Sequence, residues 1–316
     1  MQTDERQEQP IVAHSIVDEI DTYTNALGGV RVEAIRTGLG TGPNRVTVVQ
    51  DRRLTLTSSD VEIPVLSHTT VGDDKIVVVN IRAAPKGARW CEIDLTEGAV
   101  IAYGSSSEHT AITVPGLAFT YIVTDRDQLA AAAEDLRIKF APPPSGQVHE
   151  LVRSSRTSAL ATAMSQLPIA AEHRVDRYDA RAADVINAMA DALSIEERVT
   201  RIGCRRGIDG RRIVTCCIDH ADEIGRMPSI AELCVVAGVS ERTLRVAFTQ
   251  EYDLPPSLFF RAWALDEARR RLLRNDLRQE NVTAIATDLG FFHLGRFAGH
   301  YRRHFGEPPS ATLRAS

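Results

Sequence analysis

The sequence lacks long hydrophobic runs, and its first residues contain no apolar segment. Its longest apolar runs, such as IVVVNI at 76–81, are far shorter than the roughly 20 residues that a membrane-spanning helix needs. The opening MQTDERQEQP is polar and charged, so no secretory signal is visible. The five cysteines form no CxxC pair, which argues against a zinc ribbon and a disulfide scaffold. These absences exclude a multi-spanning membrane protein and favour a cytoplasmic location.

Net positive charge is also absent, although the local charge varies along the chain. The 316 residues carry a net charge of −5, which is unusual for a nucleic-acid binder. The length suggests two or three domains. Residues 289–306, however, contain three arginines, three histidines and no acidic residue. Because local charge decides what a surface can bind, this segment is a candidate for contact with an anion.

Short β-type runs separated by turn residues fill positions 30–123. Their spacing of about ten residues, with Gly, Pro, Asp and Ser between them, is typical of an antiparallel sandwich or barrel. The Ala-rich segment 125–139 opens with acidic residues and predicts a helix. The runs are 30–36, 45–50, 53–57, 75–81, 89–95, 99–103, 109–114 and 117–123.

A connecting region follows the β-rich part. The run PPPSG at 142–146 cannot continue a helix and predicts a linker. Apolar residues then recur at helical spacing from Val148 to Ala163. Residues 201–212 look like a basic hinge, and no strand is predicted after it. A second apolar face either forms a homodimer or connects domains. That face consists of Val185, Ile186, Met189 and Leu193.

The last hundred residues contain two similar helix-turn-helix patterns. In the first, Ser229 to Glu232 fits a capping box, Gly238 permits a left-handed turn, and Ser240 begins a second helix whose Leu244 and Phe248 share one face. The pattern returns 52 residues later, after a connecting helix predicted from Ser257 to Arg274. The corresponding residues of the second pattern are Asn281, Ile285, Gly290, Phe297 and Tyr301.

These residues resemble the AraC/XylS family of bacterial transcription regulators. The motifs are VSERTL at 239–244, ARRRLL at 268–273 and GFFHLGRFAGHYRRHFGEPP at 290–309. The resemblance covers residues 211–316 and implies seven helices that hold two helix-turn-helix units. The sequence departs from the family pattern at Asp253, where a Gly usually ends the first recognition helix, at Ala264 for an Arg, and at Leu313 for an aromatic residue.

The resemblance also implies an organisation for the whole chain. The front half is similar to the β-barrel sensor domains of this family, in the branch that includes ethanolamine-utilisation regulators. We therefore expect a multidomain protein with an antiparallel, cupin-like β-barrel sensor, a helical linker and an all-α DNA-binding domain. The expected segments are a loose N-terminal segment (1–28), an effector-sensing domain (29–140), a Pro-rich linker with a connector or dimerisation region (141–210) and the DNA-binding domain (211–316).

Ten residues on the predicted recognition helices are candidates for DNA contact. Arginine can read guanine bidentately, while Thr and Val can contact a thymine methyl group. Glycine in the second helix lets the backbone approach DNA closely. The alternative is a solvated helix face. His300 and His304 have the spacing of zinc ligands, but no third ligand follows, so DNA-facing or surface histidines are favoured. The candidates are Arg242, Thr243, Arg245, Val246 and Thr249 in the first unit, and His293, Gly295, Arg296, Gly299 and His300 in the second.

The β-rich half offers an effector site rather than a catalytic one. Trp90, Tyr103 and Tyr121 either line an effector cavity or fill the core. His68 and His109 are isolated, so we expect no catalytic residue, metal or cofactor.

The prediction is a non-enzymatic regulator, with activator favoured on the resemblance alone. It would bind double-stranded promoter DNA through two consecutive major grooves. Its other expected partners are an unknown small-molecule effector and, for an activator, RNA polymerase, with no membrane. The alternatives are a β-barrel enzyme with a DNA-binding tail and a nonspecific architectural protein.

Overall fold

The computed structural model describes residues 9–90, 93–173, 175–194, 198–202, 208–274 and 281–315. Two compact units are formed. The first contains residues 1–33, 42–62 and 68–204, and the second contains residues 34–41, 63–67 and 205–316, within the described ranges. Residues 203–207 of the predicted hinge lie outside the described residues.

Thirteen strands are present in the described part of the chain. They are β1 (Ile11–Val17), β2 (Arg31–Arg36), β3 (Asn44–Gln50), β4 (Leu54–Val61), β5 (Val65–Thr70), β6 (Lys75–Ala83), β7 (Arg89–Trp90), β8 (Ile93–Asp94), β9 (Val100–Tyr103), β10 (Glu108–Thr113), β11 (Leu117–Asp125), β12 (Val148–Leu151) and β13 (Arg198–Ile202). Each of the eight predicted runs contains a strand, so the β-rich character of this half is confirmed.

The strands form two sheets that are not closed into a barrel. The larger sheet has the order β1-β3-β4-β11-β6-β9-β12-β13, and the smaller one has the order β2-β5-β10-β7-β8. The predicted cupin-like barrel is therefore wrong. A barrel has no edge strands, whereas here β1 and β13 are the edges of one sheet and β2 and β8 are the edges of the other.

Both faces of the larger sheet are buried. In β6, Ile76 and Val78 lie in one hydrophobic cluster, while Val77 and Val79 lie in a second cluster on the opposite face. The first cluster is completed by three helices, namely α2 (Arg126–Asp135), α3 (Ser155–His173) and α4 (Val175–Ala192). A continuous apolar run such as IVVV is typical of a strand that is covered on both sides.

Several predicted elements differ from the observed ones. The segment 1–28, predicted to be loose, contains β1, paired over seven residues with β3, and helix α1 (Ile20–Ala26). Val148 to Leu151 fit a helical spacing but form β12, which pairs with β9 and β13. The helix begins only at Ser155. Four residues carry too little periodicity to separate a helix from a strand, so pairing with neighbouring strands decides the outcome.

The apolar face for which we expect either a homodimer or a connection between domains is buried inside the chain. Val185, Ile186, Met189 and Leu193 of α4 are all less than 10% exposed and belong to the cluster between the helices and the larger sheet. This intramolecular packing accounts for the amphipathic pattern, so these four side chains are not available to a second copy.

Seven helices form the described part of residues 208–315, as the resemblance implies. They are α5 (Ile208–Ile224), α6 (Ile230–Ala237), α7 (Glu241–Tyr252), α8 (Pro256–Leu273), α9 (Val282–Asp288), α10 (Leu294–Phe305) and α11 (Pro309–Ala315). The connecting helix α8 has the predicted length but not the predicted cap. Pro255, rather than Ser257, precedes α8, and Pro256 is its first residue. Proline fits the first turn of a helix because the N–H group that it lacks would have no partner within the helix there. No helix in the described ranges has the length and hydropathy of a membrane span.

His304 is a packing residue of this unit rather than a surface histidine. It is 8% exposed, and its Nε2 lies 3.8 Å from Oδ1 of Asp266 in α8. Burial, followed by the charges of Arg36, Arg261 and Arg269, lowers the pKa of His304 to about 4. The prediction of a DNA-facing or surface position is therefore wrong for His304.

Substitution by alanine should have opposite effects on the free energy of unfolding at two glycines. An added Cβ meets no heavy atom within 4 Å at either Gly238 or Gly295, but Gly238 has φ +65° and Gly295 lies inside α10. Gly238→Ala should lower the free energy of unfolding by about 1 kcal/mol, because a Cβ disfavours the left-handed region. Gly295→Ala should raise it by about 0.5–1 kcal/mol. Urea unfolding measures both, and equal signs would contradict the assigned backbone conformations.

His304 should make stability depend on pH. Its pKa is lower in the folded state (about 4) than the ordinary 6.5, so the unfolded chain takes up the proton first as pH falls. The stability contribution is complete above pH 6.5 and is lost towards pH 4, at about 1.4 kcal/mol per pH unit. Urea unfolding of wild type and His304→Gln between pH 7 and 5 measures this dependence. The curves of their free energies of unfolding against pH should converge as pH falls. Parallel curves would show that His304 titrates normally.

Candidate functional site

Local capping interactions fix the first helix-turn-helix unit. The Oγ of Ser229 accepts a hydrogen bond from the Glu232 N–H at 3.2 Å, and Oε2 of Glu232 accepts one from the Ser229 N–H at 2.8 Å. Arg226 also pairs with Glu232 at 2.6 Å, and this contact is the main cause that lowers the pKa of Glu232 to about 2. Gly238 then takes the left-handed conformation, and Ser240 caps α7 by accepting from the Thr243 N–H at 3.2 Å. The predicted capping box and turn are confirmed.

Helix α7 buries one face and exposes the other. Leu244 and Phe248 are fully buried, while all five candidate residues of this helix are exposed. Arg245 donates to Glu241 at 2.5 Å, so DNA contact by Arg245 would require it to leave this pair. Arg242 makes no ion pair with another described residue. The exposed candidates are Arg242, Thr243, Arg245, Val246 and Thr249.

The second unit repeats this arrangement with a less regular start. Asn281 caps α9 by accepting from the Ala284 N–H at 2.9 Å, and Gly290 has φ +91°. Phe297 and Tyr301 of α10 are buried like their counterparts in α7, which confirms the register of the repeat. The side chain of His293 precedes α10 without capping it. The exposed candidates are His293, Gly295 and Arg296, and the half-buried candidates are Gly299 and His300.

His300 lies in a positively charged neighbourhood at the edge of α10. Its Nδ1 accepts a hydrogen bond from Arg303 at 2.9 Å, so a neutral ring carries its proton on Nε2. Burial, followed by the charges of Arg261, Arg303 and Arg296, lowers the pKa of His300. Arg261 is on α8 and was not predicted as a site residue, because only tertiary packing brings α8 and α10 together. The arrangement offers an N–H donor and three cations to an anion such as a DNA phosphate.

The described residues contain no group of three His, Cys, Asp or Glu side chains placed to hold a metal ion. His300 and His304, which have zinc-ligand spacing, have different surroundings. The first accepts from Arg303 and the second is buried near Asp266. The two rings thus have different partners, although their i, i+4 spacing places them on the same side of α10.

The three predicted effector residues lie in one hydrophobic cluster of the first compact unit, outside the helix-turn-helix units. The ring centroids of Trp90 and Tyr103 are 6.4 Å apart. Phe119 connects Trp90, at 5.5 Å, with Tyr121, at 6.2 Å. The hydroxyl of Tyr121 donates to the carbonyl of Gly28 at 2.8 Å, so Tyr121 has a structural partner.

His109 is a further member of this cluster that the sequence did not indicate. Its ring centroid lies 4.5 Å from that of Tyr103 and 5.6 Å from that of Trp90. The isolated position of His109 in the sequence hides this contact, which arises because β7, β9 and β10 bring their inward side chains together. Burial, followed by the charge of His68, lowers the pKa of His109 to about 3, so the ring is neutral at pH 7.

Three polar atoms in this cluster are buried without a hydrogen-bond partner among the described residues. They are Nε1 of Trp90, Oη of Tyr103 and Nδ1 of His109. An unpaired buried polar group costs about 1–3 kcal/mol, and most such groups in proteins are paired. Their concentration in one cluster distinguishes it from an ordinary hydrophobic core.

Comparisons with known proteins agree with the geometry of the helix-turn-helix units. Residues 233–315 match the family model described as "Helix-turn-helix domain". The "Probable thc operon regulatory protein" of Rhodococcus erythropolis is 38% identical over 103 residues, which are 32% of this chain and 31% of that protein. The "XylDLEGF operon transcriptional activator 3" of Pseudomonas putida is 39% identical over 93 residues, which are 29% of this chain and 28% of that protein.

A solved structure gives a third comparison. The probable AraC family transcriptional regulator from Rhodopseudomonas palustris CGA009 is 30% identical, with a TM-score of 0.30, and the match covers 34% of this chain and 97% of that one. The chain spans less than a third of the length of these two curated relatives. The similarity therefore concerns one domain of the chain. Together with the two capped helix-turn-helix units, these matches confirm that the chain belongs to the AraC/XylS family of helix-turn-helix, DNA-binding transcription regulators.

Proposed function

We propose that this protein is an effector-responsive transcription activator whose two helix-turn-helix units enter two consecutive major grooves of promoter DNA. The observation that carries the proposal is the repeated exposure of one face on α7 and on α10. In both helices the apolar face is buried and the candidate contact residues lie on the other side. Such a pair of helices can read bases while the remaining helices hold their spacing.

The length of α8 supports simultaneous binding of both units. Its 18 residues span about 27 Å at 1.5 Å per residue. Successive major grooves on one DNA face are roughly 34 Å apart, and the recognition helices extend the reach beyond the linker. Because α7 and α10 expose different residues, one protomer should occupy an asymmetric site of about two turns.

The two recognition helices should contribute different chemistry. The Arg, Thr and Val side chains of α7 suit direct readout of guanine and thymine. In α10, Gly295 has open space around it, so the backbone can approach DNA and Arg296 remains the main base reader. Arg302 and Arg303 are exposed on the same helix and suit phosphate contacts.

Activation and effector response rest on further arguments. The Pseudomonas putida relative is named an operon transcriptional activator, which supports the same role here and makes RNA polymerase a proposed partner. The buried aromatic cluster supports a small-molecule effector. For the effector to act, it must bind one arrangement of the protein better than another.

Replacing one arginine in each recognition helix should relax sequence preference at two separate places. Arg245→Ala and Arg296→Ala should each reduce discrimination by roughly 1–3 kcal/mol if the contact is bidentate. The affected positions should lie about ten base pairs apart, because the helices enter successive grooves. Selection of bound sequences from a random DNA library measures the preference of each variant.

Arg31→Ala is the matched control, because Arg31 is an exposed arginine on β2 in the first compact unit, outside the helix-turn-helix units, and its loss changes the net charge equally. It should leave sequence preference unchanged. Loss of preference at the same base pairs in both recognition-helix variants, or in neither, would contradict two-groove binding.

The electrostatic part of the proposal predicts a strong salt dependence. With about six phosphate contacts, affinity should fall about 10³-fold or more between 50 and 200 mM salt. Arg302→Ala should reduce the slope of log K against log salt by about one, and Arg31→Ala should not. Fluorescence anisotropy of a labelled duplex measures these slopes, and a flat dependence would exclude an arginine-rich phosphate interface.

A further inference from the structure

We infer that the cluster of Trp90, Tyr103 and His109 binds an uncharged, planar molecule that carries an oxygen acceptor. This inference rests on the proposed effector response and names the chemical class of the effector. It is carried by three unpartnered polar atoms that share one aromatic cluster.

The rings around these atoms favour an aromatic or conjugated ligand. The ring planes of Trp90 and Phe119 meet at 69°, those of Trp90 and His109 at 47°, and those of Tyr103 and His109 at 34°. Ring faces and ring edges are therefore both presented within one cluster. Aromatic groups prefer such offset and edge-to-face contacts, so a flat ring suits this site better than a saturated one.

The unpartnered atoms specify the polar part of the ligand. The indole N–H of Trp90 can only donate, the hydroxyl of Tyr103 can donate or accept, and neutral His109 offers one donor and one acceptor. A carbonyl oxygen can accept from the indole and the phenol. Two other buried tyrosines of the same compact unit are already paired, since Tyr23 contacts Ser59 at 3.1 Å and Tyr121 donates to Gly28 at 2.8 Å.

Charge excludes an anion as the preferred ligand. Burial lowers the pKa of His109, with His68 as the one titratable group among the described residues that adds to this effect, and burial raises the pKa of Tyr103. His109 would not be a cationic partner for a buried carboxylate at neutral pH, because burial keeps this ring uncharged. Burying an unpaired ion is strongly unfavourable, so an amide, aldehyde or ketone should bind better than the corresponding acid.

Three small probes test this class directly with the full chain. Benzamide has a flat ring and a neutral carbonyl, benzoate replaces the amide with a charge, and cyclohexanecarboxamide replaces the flat ring. Isothermal titration at pH 8 should detect benzamide with a millimolar or lower Kd. Binding of each of the other two probes should be at least tenfold weaker. Tighter binding of benzoate, equal binding of all three, or no binding of benzamide at 10 mM, as expected if the polar atoms contact only water, would overturn the inference.

A pair of tyrosine variants locates the binding site. Tyr103→Phe removes an unpartnered hydroxyl and should weaken benzamide binding at least fivefold. Tyr121→Phe removes a hydroxyl that already donates a hydrogen bond to the Gly28 carbonyl and should leave benzamide binding unchanged. Thermal unfolding without ligand checks the assignment, because Tyr103→Phe should keep or raise the Tm whereas Tyr121→Phe should lower it. Equal effects of the two variants on benzamide binding would place the ligand elsewhere.

DNA binding separates this inference from the proposed function. Wild type and Tyr103→Phe should bind the selected DNA sequence equally when no ligand is present. If DNA binding is specific but benzamide does not bind, the ligand class is wrong and the DNA-binding role stands. If specific DNA binding is absent, the proposed function fails whatever benzamide does.

Discussion

Burial of one face of each recognition helix constrains the whole DNA-binding unit. Leu244 and Phe248 in α7, and Phe297 and Tyr301 in α10, are almost completely removed from solvent. Once these side chains are fixed in the core, the helical period leaves the opposite face outside. The caps and left-handed glycines set where each helix begins. The positions available to DNA thus follow from where the apolar side chains must go.

The same reasoning explains which features could be predicted from the sequence. The capping box at Ser229, the cap at Asn281 and the turns at Gly238 and Gly290 depend on residues within one turn of one another, so their local pattern was sufficient. Asp253 also fits this description, because it ends α7 with φ +54° where the family usually has Gly, and Asp is among the residues that tolerate this conformation.

Features that depend on distant packing could not be predicted in this way. The apolar face of α4 has the same pattern whether it contacts a second copy or its own sheet, and only the fold shows that Val185 and Met189 are internal. Strand runs do not reveal whether a sheet closes. The ring of His109 lies close to that of Tyr103, and the charge of Arg261 acts on His300. No local motif in the sequence encodes either interaction.

In the proposed mode of DNA binding, one protomer places two different recognition helices in successive major grooves. Hydroxyl-radical footprinting of the full chain on a selected DNA site, at protein concentrations well below those that promote self-association, tests it most directly. We predict two protected patches about ten base pairs apart on one face of the duplex, with unequal protection because α7 and α10 differ. A single protected patch, or two equivalent patches related by a palindrome, would contradict binding of one protomer to two successive grooves.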